Sequence, residues 1–378
     1  MRLRTSSVFA AALIAWAVSF CASGIAAADE PVLKDTFKRD FRVGAAVGTQ
    51  QALGEEPAAL DLVAKQYNAI TPENLLKWQE VHPQPREFNF DPADRFVEFG
   101  ETNHMFVVGH TLVWHSQTPD WVFADESGKP LDREGLLKRM KSHIQTVAGR
   151  YKGRIGGWDV VNEAIEDDGS LRKSKWRAII GDDFIEKAFQ YAHEADPAAE
   201  LYYNDYNEWK PGKREGVKRL VRSLKDKDIR IDGIGLQGHW GLNYPSVEEI
   251  ETMFEDYGTL GVKLMITELD ITVLPDASGS QGADVSRRAA MQKELNPYPK
   301  ALPAEMQKKL AERYAEVFRL FVKHADKIDR VTMWGVHDGH SWRNGWPIRG
   351  RSDYPLLFDR QLRPKPAFDA VIKTAQQN

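Results

Sequence analysis

Two glutamates each come shortly after a short and largely apolar run, separated from it by one residue. Glu163 follows the run at residues 158–161, and Glu268 follows the run at residues 264–266. Such a run is typical of a buried strand, which would place the carboxylate at the mouth of a sheet rather than on a solvated helix. Two carboxylates that face one cleft suit the hydrolysis of a glycosidic bond, because one protonates the leaving oxygen while the other stabilises or attacks the sugar carbon. Either glutamate could instead cap a helix or pair with a Lys or Arg.

The neighbours of the two glutamates indicate different roles. Asp270 lies two residues after Glu268, on the same face of the strand, and His239 ends the preceding strand. A Glu–His–Asp chain would keep Glu268 ionised and oriented, as a nucleophile requires. Glu163 has no His or basic residue beside it in the sequence, so it is freer to hold the proton of an acid/base group. Asn162, next to it, could donate a hydrogen bond to a sugar 2-hydroxyl.

Eight short apolar or β-branched runs alternate with longer segments of helical spacing. The runs are Phe41 to Gly48, Tyr67 to Pro72, Met105 to Trp114, Ile155 to Asn162, Ala199 to Asn204, Gly233 to Gln237, Lys263 to Thr267 and Arg330 to Val336. Apolar residues recur every three or four positions within residues 136–147 and 306–321, which indicates amphipathic helices. This alternation predicts a parallel sheet, and eight strands make a closed barrel, so the expected fold class is α/β with a single (β/α)8 TIM barrel.

Six of the predicted strands end in polar or aromatic clusters. These clusters are residues 109–115, 158–163, 203–207, 237–240, 267–270 and 334–338. The carboxyl ends of the strands of such a barrel meet at one face, and barrel enzymes carry their active sites there. The sequence therefore predicts one active site at the C-terminal face of the strands.

Five segments, in order along the chain, resemble the motif series of glycoside hydrolase family 10, the endo-1,4-β-xylanases. They are Thr71 to Trp78, Gly109 to His115, Trp158 to Ala164, Ile266 to Asp270 and Trp334 to Val336. The resemblance extends from about Phe41 to Ile372. It implies a (β/α)8 barrel that hydrolyses internal β-1,4 bonds of xylan by double displacement with retention of configuration. It also implies that Glu163 is the acid/base group and that Glu268 is the nucleophile.

The resemblance further implies which residues contact the substrate. On the glycone half of the cleft these are Glu73, Asn74, Lys77, His110, Trp114, Gln237 and Trp334. On the leaving side they are Tyr206 and Trp342. Indole faces stack on sugar rings, and Lys, Asn, Gln and His side chains bind hydroxyls. Two positions depart from the family pattern, because Gly238 stands where Ser is common and His337 stands where Thr is commoner.

Composition excludes several other classes of protein. Hydrophobic residues make up 42% and charged residues 28% of the 378 residues, which is typical of a globular protein. The net charge is −4 with no long run of either sign, so the basic stripe of a nucleic-acid-binding protein is missing. The expected partner is xylan or a xylo-oligosaccharide, with no nucleic acid and no membrane. We expect a monomer that uses no cofactor and no metal.

The first 28 residues resemble a secretory signal peptide, and residues 29–378 form the expected catalytic domain. Arg2 and Arg4 precede an apolar run from Val8 to Phe20, and small residues at 26–28 form the expected cleavage site. That run is too short to span a bilayer, which requires about 20 residues. The expected location is therefore outside the cytosol, in the periplasm or the medium. A lipid attachment at Cys21 is the alternative interpretation.

Two other functions are alternatives to a xylanase. A cellulase or mixed β-glucanase would use the same two carboxylates, since glucose differs from xylose by one hydroxymethyl group. A non-catalytic carbohydrate-binding barrel would keep the tryptophans but lose a carboxylate, whereas this chain has both. Residues 233–238 match a dinucleotide-binding pattern by letter, but no helix is predicted directly after them. The polar excursion from 274 to 303 could shape the site or be a plain surface insertion.

Overall fold

The computed structural model describes residues 30–275 and 294–375. The expected signal peptide lies outside the described residues, and so does most of the polar excursion predicted at 274–303. The described residues from Val32 onward form one compact unit. Among the described helices, none is both long enough and apolar enough to cross a membrane.

Eight parallel strands close into a barrel, which confirms the predicted fold class. The described strands are β1 (Arg42–Val47), β2 (Ala69–Pro72), β3 (Phe106–Trp114), β4 (Gly157–Asn162), β5 (Glu200–Asp205), β6 (Gly233–Leu236), β7 (His239–Gly241), β8 (Lys263–Thr272) and β9 (Ile328–Met333). Strands β1 to β6 pair in sequence order, each with the next. Strand β1 also pairs with β9, and β9 pairs with β8. Pairing between β6 and β8 closes the ring, and the short β7 pairs with the end of β8.

The observed strands overlap all eight predicted runs, but His239, expected to end a strand, instead begins the short β7, because β6 ends at Leu236. Two further differences are informative. Strand β8 continues to Thr272 rather than ending at Thr267, because its last residues pair with β7. Strand β9 ends at Met333 rather than Val336, and Gly335 has a φ of 130°, which leaves the strand conformation. The strands are buried on both faces, as expected for a parallel sheet covered by helices.

The helices lie between the strands. They are α1 (Leu33–Thr36), α2 (Thr49–Ala52), α3 (Pro57–Gln66), α4 (Trp78–Val81), α5 (Asp91–Thr102), α6 (Arg133–Arg150), α7 (Lys175–Ile180), α8 (Phe184–Ala195), α9 (Pro211–Asp226), α10 (Val247–Gly258), α11 (Ala304–Lys323) and α12 (Pro366–Thr374). Short 3-10 helices occupy Asp120–Phe123, Asp338–His340 and Trp342–Asn344. Both helices predicted from apolar spacing are present as α6 and α11.

Local sequence signals explain where several helices begin. Asp132 and Ser246 accept hydrogen bonds from backbone N–H groups at the starts of α6 and α10, and Glu249 completes a capping box in α10. Proline occupies the first turn of α9 and α12, where its missing N–H is not needed. The apolar face of each long helix is buried against the barrel, so the barrel is rigid and holds its strand ends in fixed positions.

Candidate active site

Glu268 lies on β8, at the carboxyl end of the barrel, with both carboxylate oxygens engaged. Its Oε1 accepts a hydrogen bond from Nδ2 of Asn204 at 2.8 Å, and its Oε2 lies 3.0 Å from Nε2 of His239. The residue is only 5% exposed. A buried carboxylate held at both oxygens has a fixed orientation, as a group that reacts at one position requires.

The Glu–His–Asp chain expected from the sequence is present. Pairing of β7 with β8 sets His239 opposite Asp270, and Nδ1 of His239 lies 3.0 Å from Oδ1 of Asp270. Asp270 also accepts hydrogen bonds from Nε1 of Trp342 at 2.7 Å and from Nε of Arg343 at 2.8 Å. Arg343 carried no signal in the sequence, because it lies in a short 3-10 helix 73 residues after Asp270.

In the series Glu268, His239 and Asp270, contacts between charged groups outweigh the effect of burial on each pKa. Burial alone would lower the pKa of His239, but Asp270 and Glu268 raise it to about 9. Burial would raise the pKa of Asp270, but Arg343 and His239 lower it to about 2. Burial likewise opposes ionisation of Glu268, yet the hydrogen bond from His239 and nearby positive charges hold its pKa below the usual range. At neutral pH, a protonated His239 therefore lies between two carboxylates.

Glu163 follows β4 with a backbone φ of 57°, in the left-handed region that residues with a side chain seldom adopt. Its Oε2 accepts a hydrogen bond from Nε1 of Trp114 at 2.9 Å, and its Oε1 accepts one from Nε2 of Gln237 at 3.0 Å. No basic residue adjoins Glu163 in the sequence, but the fold brings Nε2 of His115 to 4.0 Å from Oε2, because β3 and β4 are neighbours.

Two asparagines connect the carboxylates. Nδ2 of Asn162 lies 3.3 Å from Oε1 of Glu163, and Oδ1 of Asn162 accepts a hydrogen bond from Asn204 at 2.9 Å. Asn204 is also the donor to Glu268, and its own Oδ1 accepts a hydrogen bond from Thr267 at 2.6 Å. Asn162 was expected to serve the sugar, whereas in the structure its amide also contacts Glu163. Asn204 was not singled out from the sequence, although it lies in a polar cluster recognised at the end of β5.

Arg172 and Tyr206 lie beside the turn that carries Glu163. Nε of Arg172 donates a hydrogen bond to the backbone carbonyl of Glu163 at 2.7 Å, and the guanidinium also binds Oη of Tyr206 at 2.9 Å. An ion pair of 3.3 Å with Glu166 completes the environment of Arg172. Tyr206, expected on the leaving side of the cleft, therefore lies near the candidate acid/base group, with Arg172 between them.

The loop after β2 supplies three of the expected glycone residues. Nζ of Lys77 donates a hydrogen bond to Oδ1 of Asn74 at 3.1 Å and lies 4.9 Å from the ring centroid of Trp114. Burial lowers the pKa of Lys77, partly offset by Glu268 and Glu73. Burial raises the pKa of Glu73, partly offset by Lys77. These side chains present closely spaced donors and acceptors for sugar hydroxyls, next to the Trp114 indole.

Trp334, expected on the glycone side, and Trp342, expected on the leaving side, both lie beside His239. The ring of Trp334 lies edge-on to His110, with centroids 5.4 Å apart, and to His239, with centroids 6.3 Å apart. Nδ1 of His110 is hydrogen-bonded to Oδ2 of Asp159 at 2.9 Å. The Trp342 ring lies 4.9 Å from the His239 ring. The site residues predicted from six separate strand ends thus gather around Glu163 and Glu268.

The two departures from the family pattern have different surroundings. Gly238 has a φ of 80° and joins β6 to β7, a conformation that favours glycine. His337, which follows β9, lies near the carboxylate of Glu56, with Nε2 3.6 Å from Oε2.

The geometry supports a defined set of chemical roles. Glu268 is an oriented, buried anion, and Glu163 is a second carboxylate connected to it through two amides. Aromatic rings and polar side chains surround both of them. Such a pair can perform acid/base and nucleophilic steps on a glycosidic bond.

Comparison with known proteins identifies the family of the chain. The sequence profile of glycosyl hydrolase family 10 matches residues 32–374. The chain is 47% identical over 347 residues to an endo-1,4-beta-xylanase of Geobacillus stearothermophilus, covering 90% of this chain and 98% of that protein. It is 44% identical over 347 residues to endo-1,4-beta-xylanase A of Xylanibacter ruminicola, covering 92% and 94%.

Solved structures lead to the same family. The chain superposes with a TM-score of 0.86 on a GH10 endoxylanase retrieved from a sugarcane soil metagenome, at 48% identity, covering 91% of this chain and 99% of that one. A second structure, of a mutant protein in complex with xylotriose, gives a TM-score of 0.80 at 37% identity, covering 91% and 99%. A profile match over nearly the whole barrel, together with identity above 40% to full-length relatives, establishes that the chain belongs to glycosyl hydrolase family 10.

Proposed function

We propose that the chain is a retaining endo-1,4-β-xylanase that hydrolyses internal β-1,4 bonds of xylan. The observation that carries this proposal is the buried Glu268 carboxylate, held anionic by His239 within the same hydrogen-bonded network as Glu163. Relatives of full length that are 44% and 47% identical are named endo-1,4-beta-xylanases, which supports xylan as the substrate.

In the first step, Glu268 attacks the anomeric carbon of the sugar on the glycone side. As this bond forms, the glycosidic carbon–oxygen bond breaks, and Glu163 donates its proton to the departing oxygen. The products are a shortened chain with a free hydroxyl and a covalent ester between the sugar and Glu268. The positive charge on His239 keeps Glu268 ionised before the attack.

In the second step, the Glu163 carboxylate takes a proton from a water molecule whose oxygen attacks the anomeric carbon. The bond to Glu268 breaks, and the electron pair returns to its carboxylate. Two inversions at one carbon restore the original configuration. Trp114 and Gln237 hold Glu163 in place for both proton transfers.

The polymer would lie across the mouth of the barrel. We assign the glycone side to the region of Lys77, Asn74 and Trp334, and the leaving side to Tyr206 and Trp342. Trp342 and Trp334 both lie within 6.3 Å of the His239 ring, measured between ring centroids, so sugars stacked on them would approach Glu268. The closeness of Trp342 to His239, which contacts Glu268, supports a contact of Trp342 with the sugar at the point of cleavage.

Product chromatography tests the proposal. The protein without residues 1–28 is incubated with soluble glucuronoxylan and, in parallel, with carboxymethylcellulose. We expect a ladder of short xylo-oligosaccharides from the first substrate, the sign of internal cleavage. Glu268→Ala should release no products while still binding xylan, and Glu194→Ala, which removes a surface carboxylate on α8, should behave as the wild type. Proton NMR of the first products should show the β-anomer.

Other outcomes would redirect the proposal. Release of products from the cellulose derivative alone would keep the mechanism but change the substrate to a β-glucan. Binding to xylan without turnover would favour a carbohydrate-binding barrel. Turnover by Glu268→Ala at the wild-type rate would refute the assignment of the nucleophile.

We also propose that the enzyme acts outside the cytosol as a monomer, after removal of residues 1–28. The charged start, short apolar run and small residues of this segment support export. N-terminal sequencing of the protein recovered from the periplasm or the medium should begin near Asp29, and light scattering should give the mass of one chain. Retention of the segment, or a dimer mass, would contradict these two points.

A further inference from the structure

Three metal-ligating side chains meet on neighbouring loops at the catalytic face of the barrel. Glu56 follows β1, whereas His337 and His340 follow β9, and β1 and β9 are paired strands. Nε2 of His340 lies 2.9 Å from Oε1 of Glu56, and Nε2 of His337 lies 3.6 Å from Oε2. In the described part of the chain, these three side chains form a group whose ligand atoms, one from each residue, all lie within 4.8 Å of one another.

We propose that Glu56, His337 and His340 bind a divalent transition-metal ion of the zinc class. Zinc takes imidazole nitrogens at about 2.0–2.1 Å and carboxylate oxygens at about 2.0–2.2 Å in a tetrahedron, which places adjacent ligand atoms about 3.3 Å apart. The two nitrogen–oxygen distances, 2.9 Å from His340 to Oε1 and 3.6 Å from His337 to Oε2 of Glu56, lie on either side of that value. Because they end on different oxygens, ion binding requires one carboxylate oxygen to turn toward both imidazoles. Three protein ligands leave the fourth position to water.

The donor set selects among ions. Calcium and magnesium prefer six or more oxygen ligands, and only Glu56 offers oxygen here. Two imidazoles and one carboxylate instead suit zinc, nickel or copper. The His340 side chain is 38% exposed and that of Glu56 is 28% exposed, so an ion can enter from solvent.

A buried amide orients the carboxylate from behind. Nε2 of Gln51 donates a hydrogen bond to Oε2 of Glu56 at 3.2 Å, while Oε1 of Gln51 accepts one from the backbone N–H of Gly48 at 3.0 Å. Partners of this kind hold metal ligands in position and are a regular part of such sites. Gln51 is 2% exposed, so water does not compete for its amide.

A proton competes with the ion at His337. The N–H of Gly339 donates to Nδ1 of His337 at 3.2 Å, which places the proton of the neutral ring on Nε2, the atom that faces Glu56. Binding of an ion through Nε2 moves this proton to Nδ1 and breaks the bond to Gly339. We therefore expect weaker binding than at a closed structural zinc site. The effect of the ion is to join the loops after β1 and β9.

Titration calorimetry with zinc chloride tests this inference on the untagged protein without residues 1–28, after dialysis against EDTA. We expect saturable binding of one ion per chain and a rise in melting temperature when zinc is added. His340→Ala should lose both effects, and because this side chain is partly exposed the variant should still fold. His337→Thr is the second variant, and His193→Ala, which removes an exposed histidine on α8, is the matched control.

The results separate the site from adventitious binding. An absence of saturable zinc binding by the wild type would overturn the proposal, as would binding that is unchanged in both His340→Ala and His337→Thr. Hydrolysis assayed in EDTA is independent of these measurements, so the metal site and the proposed xylanase activity can fail separately.

Discussion

His239 has a carboxylate 3.0 Å from each of its ring nitrogens, and this arrangement makes its protonation directly measurable. We predict that the His239 imidazole titrates near pH 9 in the wild type, because Asp270 and Glu268 favour its charged form. Asp270→Asn should lower the midpoint by about 1–3 pH units, the range expected when a contacting opposite charge is removed. NMR of protein labelled with nitrogen-15 at histidine measures both values.

His239 also makes the stability of the protein depend on pH. Because the fold raises the pKa of His239 above its ordinary value of 6.5, its contribution to stability is complete below about pH 6.5 and is lost as the pH rises through about 9. For the His239 titration followed by NMR, Asp256→Asn, a change on α10 away from the site, is the control and should leave the His239 midpoint unaltered. A wild-type midpoint between 6 and 7 would contradict the proposed protonated bridge.

Glu163 is predicted to act in both steps, so its removal should slow both. Glu163→Ala should lower kcat on xylan by about 10²–10⁴-fold, the usual contribution of general acid/base catalysis. With an aryl xylobioside, whose leaving group needs little protonation, azide should restore turnover and form a product of retained β-configuration. Liquid chromatography and NMR identify this product. A lack of azide rescue in a folded variant would remove Glu163 from the acid/base role.

At the scale of elements, the turn after β4 is held by side chains from β5 and α9. Oη of Tyr203 accepts hydrogen bonds from the backbone N–H groups of Ala164 and Ile165, both at 3.0 Å, and donates one to Asp205. Nζ of Lys213 binds the other oxygen of Asp205 at 2.8 Å, and both side chains of that ion pair are fully buried. This cluster supports the unusual backbone conformation of the adjacent Glu163.

We predict that Tyr203→Phe lowers kcat with little change in KM, because it loosens the turn that aims Glu163 while the sugar contacts remain. The buried N–H of Ala164 would lose its acceptor, and that of Ile165 would keep only the 3.4 Å contact with Oδ2 of Asp205. The free energy of unfolding should therefore fall by about 1–3 kcal/mol. Steady-state kinetics and urea unfolding measure the two effects. Tyr202→Phe on the same strand, whose hydroxyl binds Glu200 away from the site, is the matched control and should keep its kcat. Equal kinetic effects in both variants would indicate a merely structural role for Tyr203.

At the scale of the whole molecule, a buried lysine joins the C-terminal segment to the barrel. Nζ of Lys365 lies 2.9 Å from Oδ2 of Asp338, which follows β9, and donates to the backbone carbonyls of Tyr354 and Leu356, each at 2.7 Å. Lys365 directly precedes α12, which packs on α11. One ammonium group therefore fixes three segments that surround the last strand of the barrel.

We predict that Lys365→Met lowers the free energy of unfolding by about 3–5 kcal/mol, the usual cost of removing one partner from a buried ion pair. Chemical unfolding followed by tryptophan fluorescence measures this change. Lys373→Met, on the exposed face of α12, is the matched control and should unfold at the wild-type denaturant concentration. A variant at Lys365 as stable as this control would show that the C-terminal segment does not depend on the ammonium group.

The sequence alone determined the barrel and the two candidate glutamates, because both depend on local properties. Buried strands appear as continuous apolar runs, and the carboxyl ends of parallel strands share one face, so the sequence itself groups the residues that follow each run. The chain from Glu268 through His239 to Asp270 was likewise accessible, since two of its members are neighbours on one strand.

The tertiary structure alone decided which distant groups complete the site. Arg343 reaches Asp270 from a short 3-10 helix after β9, and His115 approaches Glu163 from the neighbouring strand. Asn204 connects Glu268 to Asn162, which in turn contacts Glu163. The pairing of Glu56 with His340 also joins residues far apart in the chain. These contacts depend on strand register and on the paths of loops, which are set by packing of the whole barrel and not by the spacing of residues along the chain.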